Sequence, residues 1–462
     1  MAQDTDATAA ARARHERLAA ADHRHLWHPF TQMQEWLAED PIVVDSGDGV
    51  FLVDTLGRRS LDGVSSLWCN VHGHRVPEID AAIVAQLGRI AHTTLLGLAS
   101  TASIECAEEL IRIAPAGLTR VFFSDAGATA AEIAIKMAYQ HFQLRGDVER
   151  KEFVAIRGGY HGDTIGSVSV GGIDLFHRTF KPLLFPVRHA PQPHCYRCPL
   201  GKAWPDCAMA CADEVEKVFE AHAGKVAALV IEPLVQGADG MIVQPEGYLR
   251  RMREICDRHG ALLVCDEVAT GFGRTGTMFA VEQEGVRPDI LTVGKGLTGG
   301  YLPLAATLTT EEVFASFLGP FESRRTFFHG HTFTGNPLAC AAATASMRLL
   351  RDRRILEGLP AKEAALARAL EPLAAHPHVG EIRRRGLMVG IELVRERGTK
   401  EEYAFELRAG HQVTLEARRR GAILRPLGNV VVLMPPLAMT EAQLGDLGRI
   451  TVASIEAAVA RL

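Results

Sequence analysis

Short apolar runs alternate with helical patterns between residues 118 and 308. The runs lie at 120–123, 153–156, 227–231, 261–265 and 290–293. Each is nearly continuous in aliphatic and aromatic residues rather than alternating with polar ones. Such runs predict strands buried on both faces of a mostly parallel sheet, with helices on either side. Between two of them Ala130, Ile133, Ala134, Met137, Ala138 and His141 recur at helical spacing and predict a helix over 128–142.

The pattern changes towards the C-terminus. A helical stretch over 360–375 is followed by strand-like runs at 386–393 and 430–434, with polar helices between and after them. Two further strand candidates, 42–44 and 50–54, lie near the start. Residues 1–21 read as a ragged tail running into a helix. The predicted fold class is α/β: a large domain over 76–345 and a smaller α+β domain built from both termini, 1–75 and 346–462.

Composition narrows the classes. The 462 residues are 47% hydrophobic, enough for one large core and a second smaller one. Charged residues make up 23% and the net charge of -5 is spread along the chain. No basic block points to nucleic acid as a partner. No apolar run has bilayer-spanning length and no apolar leader core is evident, so neither a membrane nor secretion is expected. Of nine cysteines, Cys106, Cys256, Cys265 and Cys340 sit in apolar stretches as small hydrophobes. A reducing, cytoplasmic setting is the expectation.

Candidate chemistry sits at the ends of the predicted strands. The run 261–265 leads into Asp266 and Glu267, and 290–293 leads into Gly294, Lys295 and Gly296. Ligands of open α/β sheets gather outside the carboxyl ends of strands, so an acid and a lysine at two such ends can converge on one crevice. A pyridoxal cofactor needs both: its aldehyde forms an imine with a lysine amine, and its ring nitrogen needs a carboxylate to stay protonated. Gly127 and Ala128 follow a strand and open a helix, where free backbone N–H groups can hold a phosphate. Taken alone, that turn is better explained by ordinary capping. Tyr160, on the glycine-flanked loop 158–164, can stack on an aromatic ring. In the segment 329–337, which includes Gly330, Thr332 and His331 could donate to a phosphate.

Cys195, Cys198, Cys207 and Cys211 form a separate cluster beside His194, with spacing roughly that of a structural zinc site. A reduced, metal-free loop is the favoured reading, and no catalytic metal is expected.

Together these motifs resemble the class III aminotransferases, which have the type I pyridoxal-phosphate-dependent transferase fold. The resemblance covers nearly all of the chain from about residue 25. Its most specific stretch is 266–276, followed by Lys295 after the next strand. It implies that Lys295 carries pyridoxal 5'-phosphate and that Asp266 pairs with the ring nitrogen. It also implies that Val268 packs on the ring face opposite Tyr160, that Glu232 lies near the cofactor, and that Gly127 and Ala128 cradle the phosphate. Thr332 would reach that phosphate from the neighbouring subunit, which implies a homodimer with active sites at its interface and small-molecule substrates.

Within the class, the segments 25–33, 62–68, 159–164 and 425–428 resemble the branch whose acceptor is 8-amino-7-oxononanoate, in biotin biosynthesis. Arg425 would pair with the acceptor carboxylate. Another ω-amine and keto acid pair is the alternative. Members of the branch that take S-adenosylmethionine as donor carry aromatic residues where this chain has Leu67 and Val432, and a tyrosine in place of Phe30. An aliphatic side chain cannot attract a sulfonium or stack an adenine equally well. The three departures favour lysine as the amino donor.

Overall fold

The structure is a computed structural model that describes residues 2–462, with side chains from residue 8 onward. Its centre is a seven-stranded sheet. In chain order the strands are β4 (Leu118–Ser124), β5 (Glu152–Ile156), β6 (Arg188–Ala190), β7 (Val226–Ile231), β10 (Leu262–Asp266), β11 (Ile290–Val293) and β12 (Ala305–Thr310); in space they run β4-β12-β11-β10-β7-β5-β6. All neighbouring pairs are parallel except those made by β12, which is antiparallel to both β11 and β4. The carboxyl ends of β4, β5, β7, β10 and β11 therefore share one edge.

The continuous apolar runs are explained by cover on both faces. In β7 all six residues are buried. Ala228 and Val230 pack with Ile133, Ala134 and Ala138 of the helix Gly127–Arg145. Leu229 and Ile231 face the other way, in the cluster that holds Leu249, Met252 and Ile255 of the helix Tyr248–His259. Each large aliphatic side chain so buried contributes about 1.5–3 kcal/mol.

Three smaller sheets complete the chain. β1 (Val44–Asp48), β2 (Phe51–Asp54) and β3 (Arg59–Asp62) form a meander that β15 (Ala422–Ile423) joins, parallel to β3. β13 (Val379–Arg385), β14 (Met388–Leu393), β16 (Arg425–Leu427) and β17 (Val430–Leu433) make an antiparallel sheet in the order β13-β14-β17-β16. β8 (Val235–Gln236) and β9 (Ile242–Val243) form a two-stranded ribbon. The smaller unit is thus built from both ends of the sequence.

Several boundaries differ from the sequence reading. Residues 1–21 read as a ragged tail, whereas Ala2–His25 is one helix. It is anchored to the body: His15 reaches Thr55 Oγ1 at 2.8 Å and Asp40 Oδ1 at 3.0 Å. Met1 lies outside the described residues. The helix predicted over 360–375 stops at Leu370 and continues only as a 3-10 turn, Glu371–Leu373. Pro372 has no N–H to extend the helical ladder. Among the described residues no helix is long and apolar enough to cross a membrane.

Candidate active site

A cavity of about 400 Å³ opens at the shared strand edge. Asp266 closes β10 and projects into it, Lys295 follows β11, Glu232 follows β7, Tyr160 follows β5, and Gly127 and Ala128 follow β4. Five strand ends that are far apart in sequence thus deliver their side chains to one place. Asp266 Oδ1 accepts from the Thr292 hydroxyl at 3.0 Å and from the Val268 N–H at 3.1 Å. Its Oδ2 lies 2.7 Å from His161 Nδ1. Burial works against protonation of His161, but the hydrogen bond and charge of Asp266, with Glu232 behind it, outweigh it and raise the imidazole above its ordinary value.

Lys295 has a φ of +42°, a conformation that a side chain other than glycine adopts only when its surroundings impose it. Its Nζ lies 5.1 Å from the Trp68 ring centroid. Desolvation lowers its pKa below the usual lysine value, against the charges of Asp266 and Glu232. Glu232 accepts from the N–H groups of Tyr160, at 3.0 Å, and Gly237, at 2.9 Å. Burial pushes its carboxyl up to about 7. The Tyr160 hydroxyl donates to Asp163 Oδ2 at 2.7 Å.

The helix Gly127–Arg145 points its first turn at this cavity, and its leading N–H groups have no partner within the helix. Close approach requires glycine. A Cβ on Gly127 would lie 2.6 Å from Val268 Cγ1, and one on Gly162, at φ +119°, would lie 2.3 Å from Ala128 Cβ.

A second, outer cleft of about 700 Å³ holds Phe30 and Arg425 in its walls. Aromatic rings connect the two spaces. Phe30 and Phe176 are 5.3 Å apart edge to face, and Phe176 and Tyr160 are 6.3 Å apart. Burial lowers the Arg425 pKa, and Tyr160 is the titratable group that opposes it. Among the described residues no carboxylate pairs with Arg425, although thirty-eight ion pairs occur elsewhere in the chain.

The structure does not bring every predicted residue to the cavity. Gly330 and Thr332 are exposed, and His331 Nδ1 faces Asp125 Oδ2 at 2.8 Å instead of the Lys295 pocket. Leu67 is 51% exposed at φ +72° and lines neither space. Val432 is fully buried in β17, opposite Arg425 in the strand pairing, because both faces of that sheet are covered. It does not face the cleft, so of the three departures that favoured lysine only Phe30 lines a space in the structure. The four clustered cysteines line a small cavity away from Lys295.

Sequence reasoning missed four residues. His161 stands next to Tyr160 in the loop already singled out, yet its bond to Asp266 joins two strands. Phe176 bridges the cleft and the cavity. Trp68 comes from the turn 65–68, where four consecutive non-glycine residues have positive φ. Arg274, 1% exposed, holds that turn: it donates to the carbonyls of Pro435 at 2.7 Å, Asn70 at 2.8 Å and Trp68 at 3.3 Å.

Comparison with known proteins gives this arrangement a family. The aminotransferase class-III profile matches residues 33–454. The chain is a class III aminotransferase. Such aminotransferases depend on pyridoxal 5'-phosphate and have the type I fold, in which the mostly parallel sheet carries the cofactor crevice. The chain is 58% identical over 439 residues to the adenosylmethionine-8-amino-7-oxononanoate aminotransferase of Nitratidesulfovibrio vulgaris, covering 95% of this chain and 81% of the relative. The crystal structure of the enzyme of that name from Methanocaldococcus jannaschii superposes with a TM-score of 0.92 at 43% identity, over 96% of this chain and 99% of the other. An ω-transaminase from Pseudomonas jessenii, in complex with PMP, also gives 0.92, at 30% identity over 96% and 98%.

The residues fit the cofactor. An amine, a carboxylate and a helix start, where Val268 leaves no room for a Cβ on Gly127, surround one space of about 400 Å³ in this aminotransferase. Lys295 could hold the aldehyde carbon, Asp266 the ring nitrogen and the turn at Gly127 and Ala128 the phosphate.

Proposed function

We propose that this aminotransferase passes an amino group to 8-amino-7-oxononanoate, the acceptor named in its relatives, within biotin biosynthesis, and that lysine is the donor. The observation that carries the acceptor is Arg425, a half-buried guanidinium without a carboxylate partner, in the outer cleft within electrostatic reach of Tyr160. A planar fork of donors suits a terminal carboxylate at the far end of a long acyl chain. Phe30, in the cleft wall, supports lysine, because the position lacks the tyrosine that the resemblance associates with adenosylmethionine as donor. The relatives' names support adenosylmethionine instead, and the two donors are directly distinguishable.

When bound, pyridoxal phosphate supplies an electron sink for the charge left when the substrate loses its α-proton. Lys295 Nζ would take that proton and return it, and desolvation, which lowers the pKa of the amine, favours the neutral form that a base needs. Asp266 would face the ring nitrogen, with His161, Thr292 and the Val268 N–H fixing its direction. Tyr160 and Val268, both in the cavity wall, would bound the ring on opposite faces, and Glu232 holds the Tyr160 backbone in place.

The active site would be completed by a second copy. Gly330 and Thr332 are exposed on a surface where Leu96, Leu98, Phe328 and Phe333 are more than half exposed, an apolar patch of the kind that subunits cover. The His92 and Phe333 rings, 4.8 Å apart, join its two segments. From there Thr332 and His331 would reach the other copy's cofactor phosphate.

The test offers 8-amino-7-oxononanoate to purified enzyme with lysine or with S-adenosylmethionine and follows the diamine product. Turnover with lysine at least about tenfold above that with S-adenosylmethionine is expected. Turnover with adenosylmethionine alone overturns the donor assignment. No turnover with either, in enzyme that accepts other amines, overturns the acceptor.

A further inference from the structure

Residues 191–209, between β6 and the helix Ala210–Ala221, contain no helix or strand. Loops of this length without structure of their own are uncommon in compact domains and call for something that fixes them. Cys195, Cys198 and Cys207 from this loop and Cys211 from the first turn of the helix line one cavity of about 20 Å³. Leu200, Trp204 and Met209 close it with apolar surface. The space suits one small sphere. All four thiols are free of disulfide bonds.

We propose that Cys195, Cys198, Cys207 and Cys211 bind one structural Zn²⁺ as a four-thiolate tetrahedral site. The thiols give up four protons as four Zn–S bonds of about 2.3 Å form, and no electrons are transferred. Four thiolates leave no open position for a substrate, so the ion's role is to fold the loop. The sulfurs surround the cavity more loosely than four such bonds require, and the ion draws them in. Among the described residues, the only group of three such side chains whose ligand atoms already lie within 4.8 Å of one another is His194, Glu381 and Glu392. That group is not a cation site: Arg383 engages both carboxylates and Arg197 engages Glu392.

The loop borders the outer cleft. His194 and Arg197, beside and between the first two cysteines, stand in the cleft wall, and Lys400 Nζ donates to the Tyr196 carbonyl at 2.6 Å. Zinc therefore steadies the wall that faces the acceptor and leaves the Lys295 cavity untouched.

The test begins with metal analysis of the holoenzyme purified under reducing conditions without chelator; about one zinc per chain is expected. Protein refolded with Co²⁺ should show the visible bands of tetrahedral thiolate coordination. In Cys198→Ser/Cys207→Ser zinc should fall at least about tenfold and the melting temperature should drop, while the visible absorbance of the bound cofactor stays. The proposal is overturned if wild-type enzyme holds no zinc, takes up none from micromolar ZnCl₂, and shows no cobalt bands. It is also overturned if the four cysteines of freshly reduced protein close into disulfides in air as fast with zinc present as without.

Discussion

His161 Nδ1 lies 2.7 Å from Asp266 Oδ2, and both side chains are almost completely buried. The bond ties the loop after β5 to the end of β10, and it helps to fix the direction of the Asp266 carboxylate. The variant His161→Asn removes an imidazole that carries a raised pKa and leaves the carboxylate with fewer partners. A fall in kcat of about tenfold to a hundredfold is expected. The pH at which the bound cofactor's absorbance changes should move as well. A merely structural role would lower the melting temperature and leave that titration where it was.

Arg425 gives a prediction about the acceptor. Replacing it with leucine should lower kcat/KM for 8-amino-7-oxononanoate by about a hundredfold, the size expected from losing charged hydrogen bonds worth roughly 1.5–3 kcal/mol. Arg425→Lys should recover only part of this, because an ammonium lacks the fork. Unchanged acceptor kinetics in the leucine variant would remove Arg425 from the site.

Glu232 makes stability depend on pH. Burial raises its carboxyl from the ordinary 4.5 to about 7 in the folded chain. Between these values the unfolded chain has lost the proton and the folded chain has kept it, so stability falls as pH rises from about 4.5 to about 7 and levels off above that. At roughly 1.4 kcal/mol per pH unit the contribution is on the order of 3 kcal/mol. Urea unfolding of the cofactor-free protein at several pH values should show this slope, and Glu232→Gln should flatten it. Parallel curves for the two proteins would contradict the assignment.

Arg274 is a buried cation with carbonyl partners only, and burial lowers it to about 10. The variant Arg274→Met keeps the volume and strands the carbonyls of Trp68, Asn70 and Pro435. A loss of about 3–5 kcal/mol in unfolding free energy is expected, with weaker cofactor binding because Trp68 is no longer held against Lys295. Equilibrium unfolding and cofactor titration measure the two effects separately.

Much of the cavity was readable in the sequence because its residues follow apolar strands, where a charge or a glycine stands out. Asp266, Lys295 and Gly127 are of that kind. Trp68 was not, since four successive left-handed residues without glycine have no local signal. Their cause is distant: the Ser65 hydroxyl donates to the Met434 carbonyl at 2.6 Å, and Arg274 clamps the same turn. β6 and β12 were missed as separate strands, β6 for its three residues and β12 because three of its six are threonine. Val432 shows the limit of reading positions by resemblance. The resemblance sets this position facing a substrate, whereas here it is core, because its neighbours on β17 are all aliphatic and covered.

The parallel pairing of β3 with β15 bears on how the chain is made. Leu61 meets Ala422 and Asp62 meets Ile423, across roughly 360 residues. On the ribosome, at roughly 5–20 residues per second, the outer edge of β3 waits for tens of seconds before its partner emerges. Over that interval the nascent protein carries an open strand edge able to pair with any other extended chain. Assembly of the first sheet is therefore among the last steps of synthesis, although its strands are among the first to be translated.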